Sequence, residues 1–180
     1  MKQILLLAGL ALLLPMAVQA QDAPKVEVFG GYSYLRADAD DDGINLHGWN
    51  ASIAGNVNKW LGVAADFSGH YGSPFDVDVQ NYLFLIGPRV SFRQNATVTP
   101  FVHALFGAAY SRASVRVGGT KITDTDSAFA MIAGGGLDLK LHPNLAVRLF
   151  QADYVLTRFA DDTQNNFRLS TGLVIRLGNR

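Results

Sequence analysis

Three residue types that act together in hydrolases occur at alternate positions of one segment, as Asp66, Ser68 and His70. Serine, histidine and an acid serve as nucleophile, base and orienting group in such enzymes. If the segment is a strand, the three side chains follow one another on one face, about 7 Å apart, which is beyond hydrogen-bond reach. His103 lies on a strand that would not be adjacent. We therefore interpret these residues as polar filling of an interior and predict no catalytic residues.

A second candidate for chemistry is an acidic segment at residues 38–43, which reads Asp-Ala-Asp-Asp-Asp-Gly. Its spaced acids and its glycine match the first half of an EF-hand calcium loop. The last ligand position of that loop would be Trp49 instead of Glu, and no helical pattern flanks it, so we exclude an EF-hand. Loose cation binding stays open, alongside a solvated acidic loop. The chain has no zinc-ligand spacing and no phosphate-binding loop, and we predict no metal centre and no cofactor.

Composition excludes several classes of protein. The 180-residue chain has 15 Lys and Arg, 15 Asp and Glu, and no Cys. The absence of Cys excludes a disulfide scaffold and a Cys-lipidated anchor. The balanced charge favours no nucleic-acid partner. Length and composition together indicate one domain.

The N-terminus has the features of an export signal. Lys2 precedes an apolar run at residues 4–14, and residues 18–20 (Val-Gln-Ala) place small side chains at the two key positions of a cleavage site. We predict a signal peptide over residues 1–20 and a mature domain over residues 21–180. The alternative, an N-terminal membrane helix, is disfavoured because the apolar run is short and polar residues follow it.

The rest of the chain alternates between apolar residues and polar or small residues with a period of two. Within residues 47–58, Trp49, Ile53 and Val57 fall on one side of a strand and Asn50 falls on the other. Such runs exceed the ~5–6 residues of a typical soluble strand and reach the ~9–11 that a tilted membrane strand needs. The eight runs cover residues 26–36, 47–58, 60–71, 80–93, 99–111, 128–141, 145–159 and 166–177.

Short and long connections alternate between these runs. The short ones are residues 58–60, 94–98 and 142–144, and the long ones are residues 37–46, 72–79, 112–127 and 160–165. This alternation, with an even number of strands, is typical of outer-membrane barrels. We therefore predict an all-β fold, an eight-stranded antiparallel up-and-down transmembrane β-barrel. A soluble periplasmic eight-stranded carrier is the alternative fold.

The two faces of the strands are inverted relative to a soluble sandwich. Aromatic rings lie on the apolar face, which suits lipid, and the other face carries small and polar residues with single charges, which suits a narrow lumen. An unpaired buried charge costs several kcal/mol, so the inward charges must pair. By parity, the predicted lumen charge network comprises Glu27, Asp66, Arg89, Arg93, Asp138, Lys140, Asp153, Arg168 and Arg176.

The sequence does not fix the register of the seventh run, residues 145–159. If Asp153 points inward, Phe150 and Tyr154 face lipid, and Arg148 points outward near the turn, where its long stem would let the charge reach water. A bulge in this strand would change the assignment.

Acidic residues gather in the long connections and form a predicted rim at one end of the barrel. We expect this rim to meet anionic lipopolysaccharide through bridging divalent cations, or to serve solubility. Basic residues near the rim could contact lipid phosphates directly. The acids are Asp38, Asp40, Asp42, Asp161 and Asp162, with Asp41, Asp76, Asp78, Asp124 and Asp126, and the basic residues are Arg112, Arg116, Lys121 and Arg158.

Several short motifs occur in an ordered series along the strands. They are Gly-Gly-Tyr-Ser-Tyr at 30–34, Gly-Pro-Arg at 87–89, Thr-Pro-Phe at 99–101, Gly-Gly-Gly-Leu-Asp at 134–138 and Phe-Arg-Leu-Ser-Thr-Gly at 167–172. With them the chain resembles the family of eight-stranded outer-membrane β-barrels that includes the transmembrane domain of outer membrane protein A. The resemblance implies an outer-membrane location, the β-barrel insertion machinery as a partner, and roles in envelope integrity, adhesion or small-solute leakage.

Three functional hypotheses follow. The first is a small, monomeric, integral outer-membrane barrel with a structural or interaction role in the cell envelope and a blocked or narrow lumen. The second is a porin-like passive channel for small solutes or ions. The third is an outer-membrane hydrolase or lipid-modifying enzyme. We favour the first, because eight strands enclose only enough room for side chains.

Overall fold

The computed structural model describes residues 23–37, 43–73, 77–95, 97–117, 120–159 and 162–179. It contains eight strands, one for each predicted run, although β8 begins earlier than expected. The strands are β1 (Pro24–Ala37), β2 (Ile44–Asn56), β3 (Leu61–Gly72), β4 (Asp78–Ser91), β5 (Val98–Val117), β6 (Thr120–His142), β7 (Leu145–Phe159) and β8 (Asp162–Asn179). No helix in the described part of the chain is long and apolar enough to cross a membrane.

The strands close into a barrel in which each pairs with its neighbours in sequence. All pairs are antiparallel, and β1 completes the circle by pairing with β8, from Pro24 opposite Asn179 to Arg36 opposite Phe167. We call the end that carries the β2–β3, β4–β5 and β6–β7 connections the turn end, and the opposite end the hairpin end. The predicted fold class, an eight-stranded antiparallel up-and-down barrel, is confirmed.

Side chains alternate between the outside and the inside of the wall. On β3, Val63 and Phe67 are exposed on the outer surface, whereas Ala64, Asp66 and Ser68 are buried inside. A continuous apolar surface of this kind suits a bilayer, because it would drive association in water. The outward rings are Tyr32, Trp49, Trp60, Phe67, Tyr71, Phe84, Phe92, Phe106, Tyr110, Phe129, Phe150, Tyr154 and Phe167.

The third long connection differs from its prediction. The sequence predicts a loop over residues 112–127, but β5 runs to Val117 and β6 starts at Thr120, so only residues 118 and 119 separate the strands. The two strands pair as far as Val117 opposite Thr120. The apolar alternation ends before the strands do. Residues 122–127 are exposed on both faces, so neither lipid on one face nor a packed lumen on the other requires apolar and polar residues to alternate. The alternation of apolar and polar residues therefore predicts the extent of the apolar band but not the full length of the strands.

A bulge in β7 corrects the predicted register of this strand. The pairing of β7 with β8 shifts between Arg148 and Gln151. Leu149 and Phe150 both face outward, so an extra residue separates two inward positions. The prediction that Arg148 points outward is therefore wrong. The bulge places its side chain in the lumen, where the residue is 1% exposed.

Glycines allow the first and last strands to approach closely. Gly31 on β1 lies opposite Gly172 on β8, and a Cβ atom added to Gly31 would overlap the carbonyl oxygen of Thr171. The neighbouring Gly30 points outward, and a Cβ atom there would have nothing within 4 Å. The contact between β1 and β8, which we call the seam, therefore has room for a side chain on the outer surface of the wall and none on its inner surface.

We expect Gly31→Val to lower the free energy of unfolding by about 1–3 kcal/mol, because a side chain there forces the two closing strands apart. Gly30→Val is the matched control and should change that free energy by less than about 0.5 kcal/mol. Equilibrium unfolding in detergent micelles, followed by tryptophan fluorescence, measures both. Equal destabilisation by the two variants would contradict this account of the seam.

Candidate functional site in the barrel lumen

The inward side chains form three layers along the lumen. Two are networks of charged and polar groups, and the third, at the hairpin end, is apolar. The turn-end cluster comprises Glu27, Arg89, Arg93, Asp138, Arg148 and Arg176. The central cluster comprises Asn50, Asp66, Ser68, His103, Gln151, Asp153 and Arg168. The apolar plug comprises Leu35, Leu46, Leu83, Leu85, Leu105, Ala109, Ala128, Ala130, Ile132 and Val155.

Glu27 is the centre of the turn-end cluster. Its carboxylate oxygens lie 2.6 Å from Arg93 Nη2, 3.2 Å from Arg176 Nε and 3.7 Å from Arg89 Nη1. Glu27 is 1% exposed, and a buried carboxylate is tolerated only where such partners offset its lost hydration. One acid on β1 therefore connects β4, the segment after β4, and β8.

Asp138 holds the other side of the turn-end cluster. Its Oδ1 accepts a hydrogen bond from Arg148 Nε at 2.8 Å, and its Oδ2 lies 3.2 Å from Arg89 Nη2. The guanidinium of Arg148 stacks on the ring of Phe29 at 4.2 Å and on that of Phe101 at 4.3 Å. These cation–π contacts stabilise a cation that is shielded from water.

Arg168 is the centre of the central cluster. Its Nη1 lies 2.7 Å from Asp66 Oδ1, and its Nη2 lies 2.7 Å from Asp153 Oδ2. Nη1 also donates to Ser68 Oγ at 3.0 Å, and Asn50 donates to Asp66 at 3.0 Å. Arg168 is fully buried, and this one guanidinium is shared by two carboxylates on different walls of the lumen.

Gln151 joins the two clusters into one continuous network. Its Oε1 accepts from Arg148 Nη1 at 2.6 Å, and its Nε2 donates to Asp153 Oδ2 at 2.7 Å. Asp153 also lies 2.8 Å from His103 Nε2. The chain of polar contacts therefore runs from Glu27 at the turn end to the middle of the barrel. Parity counted from Asp153 misses Arg148, because the bulge between Arg148 and Gln151 reverses its side. Gln151 has the parity of Asp153, but it is uncharged and was not included in the predicted charge network.

The apolar plug was not anticipated by the sequence analysis, which expects an interior of small and polar residues. Leu83 and Leu85 alternate with outward Tyr82, Phe84 and Ile86, so this part of β4 is apolar on both faces. A strand that is apolar on both faces has an apolar environment on both, which here is the outer surface on one side and the plug on the other. That continuous run is the signal that would have revealed the plug.

The Asp66, Ser68 and His70 set does not assemble a catalytic triad. Ser68 and Asp66 both contact Arg168, whereas His70 Nε2 lies 2.8 Å from Ser33 Oγ. His70 is fully buried. These side chains are partners within the interior, and no group of three or more His, Asp or Glu within the described residues is arranged to hold a metal ion.

The remaining predicted residues separate from the network or lie outside the described residues. Lys140 is exposed, and none of the described ion pairs includes it. Arg148, which was predicted to point outward, belongs to the network and pairs with Asp138. The predicted rim residues Asp38, Asp40, Asp42 and Asp161 lie outside the described residues, as does the side chain of Asp162. Cation binding at the rim stays a prediction.

Comparison with known proteins places this geometry in a family. A family model described as outer membrane protein beta-barrel domain matches residues 5–174. The chain belongs to this family. Its members are outer-membrane barrels, so the protein resides in the outer membrane, and the apolar outer surface faces lipid.

Solved structures agree with this assignment at the level of the fold. The barrel is similar to Ail, the attachment invasion locus protein of Yersinia pestis, at 22% identity and a TM-score of 0.64, over 85% of this chain and 99% of Ail. It is similar to Neisserial surface protein A at 18% identity and a TM-score of 0.62, over 88% of this chain and 100% of that protein. It is also similar to the outer membrane protein OprG from Pseudomonas aeruginosa at 9% identity and a TM-score of 0.55, over 89% of this chain and 99% of OprG. A comparison with curated protein sequences found no match.

We expect Arg168→Met to lower the free energy of unfolding of this outer-membrane barrel by about 3–5 kcal/mol, because it leaves Asp66 and Asp153 as buried charges without their main partner. Lys140→Met is the matched control. It removes an exposed cation and should change stability by less than about 0.5 kcal/mol. Urea unfolding of both variants in lipid vesicles checks the difference, and similar values for the two would show that Arg168 does not support the interior.

Proposed function

We propose that this protein is a non-conducting, non-enzymatic barrel with a structural or interaction role in the outer membrane. The observation that carries the proposal is the filled lumen. The charged side chains of the turn-end and central clusters bridge the lumen from wall to wall, and the apolar plug fills it at the hairpin end. Eight strands enclose a space that side chains can fill completely.

The central cluster is the main obstacle to conduction. Arg168 spans the lumen between β8 and β3, and both of its acidic partners are buried. A passing ion would have to displace a guanidinium that is hydrogen-bonded at three nitrogens. Breaking a buried charge pair costs several kcal/mol, which opposes a steady open state.

The plug opposes conduction by different physics. Its leucine, isoleucine and valine side chains offer no hydrogen-bond partner to a hydrated ion. An ion that passed the charge network would therefore meet an apolar constriction. Two barriers in series, one polar and one apolar, support a blocked barrel more strongly than either would alone.

The hairpin end supports an interaction role. β6 pairs with β7 only as far as Phe129 opposite Arg158, yet β5 and β6 continue to pair with each other as far as Thr120. The exposed side chains at 123–127 are polar and carry two acids, Asp124 and Asp126. This polar extension stands beyond the lipid-facing band and is available to partners outside the membrane.

Planar-bilayer recording tests whether the lumen is blocked. We expect the native barrel to show no steady openings. The combined change Asp66→Ala, Asp153→Ala and Arg168→Ala removes the central ion pairs without leaving an isolated carboxylate. Because the plug is a second barrier in series, openings should appear only when Leu83→Ala, which makes room in the plug, is added to these three changes. Ile53→Ala, on the lipid-facing surface, is the control and should stay silent.

The channel hypothesis makes the opposite prediction. Steady openings of the native barrel that the lumen-filling substitution Ala64→Leu abolishes would overturn a blocked barrel. An enzyme would reveal itself separately, through lipid or ester turnover that His70→Ala removes. We expect no such turnover from the native barrel or from His70→Ala, because His70 is enclosed.

A further inference from the structure

A cleft of about 360 Å³ opens at the turn end of the barrel. It lies between the β2–β3 turn and the segment that follows β4, and residues 58–60 and 91–94 line it. Sites that hold small molecules have volumes of about 300–1,000 Å³. The cleft shares Arg93 with the turn-end cluster but none of its lining residues belongs to the central cluster or the plug.

The cleft combines cations with exposed aromatic rings. Lys59 and Arg93 contribute the cations, and Trp60 and Phe92 contribute rings that are 57% and 44% exposed. Tryptophan at the end of a membrane strand marks the interface between lipid tails and headgroups. The cleft therefore lies at headgroup depth, with its rings beside the acyl chains.

Positive charge is in excess directly behind the cleft. The turn-end cluster pairs four arginines with only two carboxylates, those of Glu27 and Asp138. Two of its guanidinium nitrogens, Arg93 Nη1 and Arg89 Nε, are buried and have no hydrogen-bond partner among the described residues. Such donors are satisfied by water or by an anion from outside the chain, and Arg93, unlike Arg89, also lines the cleft.

Arg93 connects the charge excess to the cleft. Its Nη2 binds Glu27 at 2.6 Å, and its side chain is 8% exposed while it lines the cleft wall. Lys59 stands on the turn opposite and is exposed. An anion between the two would meet a mobile ammonium on one side and a fixed guanidinium on the other, the arrangement that suits a phosphate.

We propose that this cleft binds the phosphate of an anionic phospholipid from the periplasmic leaflet. The turn end of such barrels faces the periplasm, so phospholipid headgroups surround it. The phosphate lies between Lys59 and Arg93, and the acyl chains run along Trp60 and Phe92. Each cation near a membrane surface favours anionic lipid about five-fold, so loss of one should lower the lipid preference by about that factor.

The chain supplies its own reporter for this site. It has two tryptophans, so Trp49→Phe leaves Trp60 as the single indole, at the cleft. The variant is reconstituted in phosphatidylcholine vesicles with a minor fraction of lipid brominated on its acyl chains, either phosphatidylglycerol or phosphatidylcholine. We expect brominated phosphatidylglycerol to quench Trp60 more strongly at equal mole fraction.

Substitutions in this background locate the preference. Lys59→Gln and Arg93→Gln should each reduce it about five-fold, whereas Lys140→Gln, which removes an exposed cation outside the cleft, should leave it unchanged. Arg93→Gln also removes a partner of Glu27, so the gel mobility of unboiled samples reports its folded fraction. Lys59→Gln carries the test alone if Arg93→Gln does not fold.

Three results would overturn the proposal. Equal quenching by the two brominated lipids would show that the cleft has no headgroup preference. An equal loss of preference in Lys140→Gln would show a diffuse surface charge effect. Loss of the preference on adding millimolar inorganic phosphate would assign the cleft to a soluble anion instead of a lipid.

Discussion

The ion pair between Arg168 and Asp66 across the lumen is the contact on which the interior depends. In a soluble protein, water outside drives apolar side chains inward. Here the outer surface faces lipid, so that driving force does not hold the strands around a core. The interior is instead fixed by contacts that join opposite walls. Arg168 makes the central one, reaching Asp153 on the adjacent strand and Asp66 on the far side.

The connected network explains why the interior tolerates so much buried charge. Each carboxylate in it meets at least one guanidinium, and Gln151 links the two clusters through both ends of its amide. In such a group the loss of one member leaves its partners as uncompensated charges, whereas in the complete network every carboxylate has a guanidinium partner. The plug then closes the network off from water at the hairpin end.

Much of this organisation could be predicted, because lipid enforces the two-residue alternation that reveals a strand and its faces. Parity identified Glu27, Arg89 and Arg168 as inward from their neighbours alone. It failed where one strand has an extra residue, since nothing in Arg148-Leu149-Phe150 marks a bulge until the pairing with β8 is known. It also failed for residues 112–127, which were predicted as a loop although β5 extends to Val117 and β6 begins at Thr120.

Partners within the lumen were beyond sequence reasoning for a different reason. Parity states that a side chain points inward, but it does not state its height or its distance from the opposite wall. Lys140 has the right parity for a lumen residue, yet it is exposed, whereas Arg148, which was predicted to point outward, binds Asp138. The height of each charge follows from strand stagger around the whole barrel, which no single strand contains.

The closing pair of strands has a consequence for the order in which the molecule forms. Glu27 and Arg176 are 149 residues apart in the chain, and Asp66 and Arg168 are 102 apart. Contacts of such high sequence separation form late, after local hairpins. A chain that has inserted only its first seven strands therefore has Asp66 and Glu27 without β8, the strand that supplies Arg168 and Arg176. Arrival of the last strand therefore completes the wall and brings Arg168 to Asp66 and Arg176 to Glu27 in the same event.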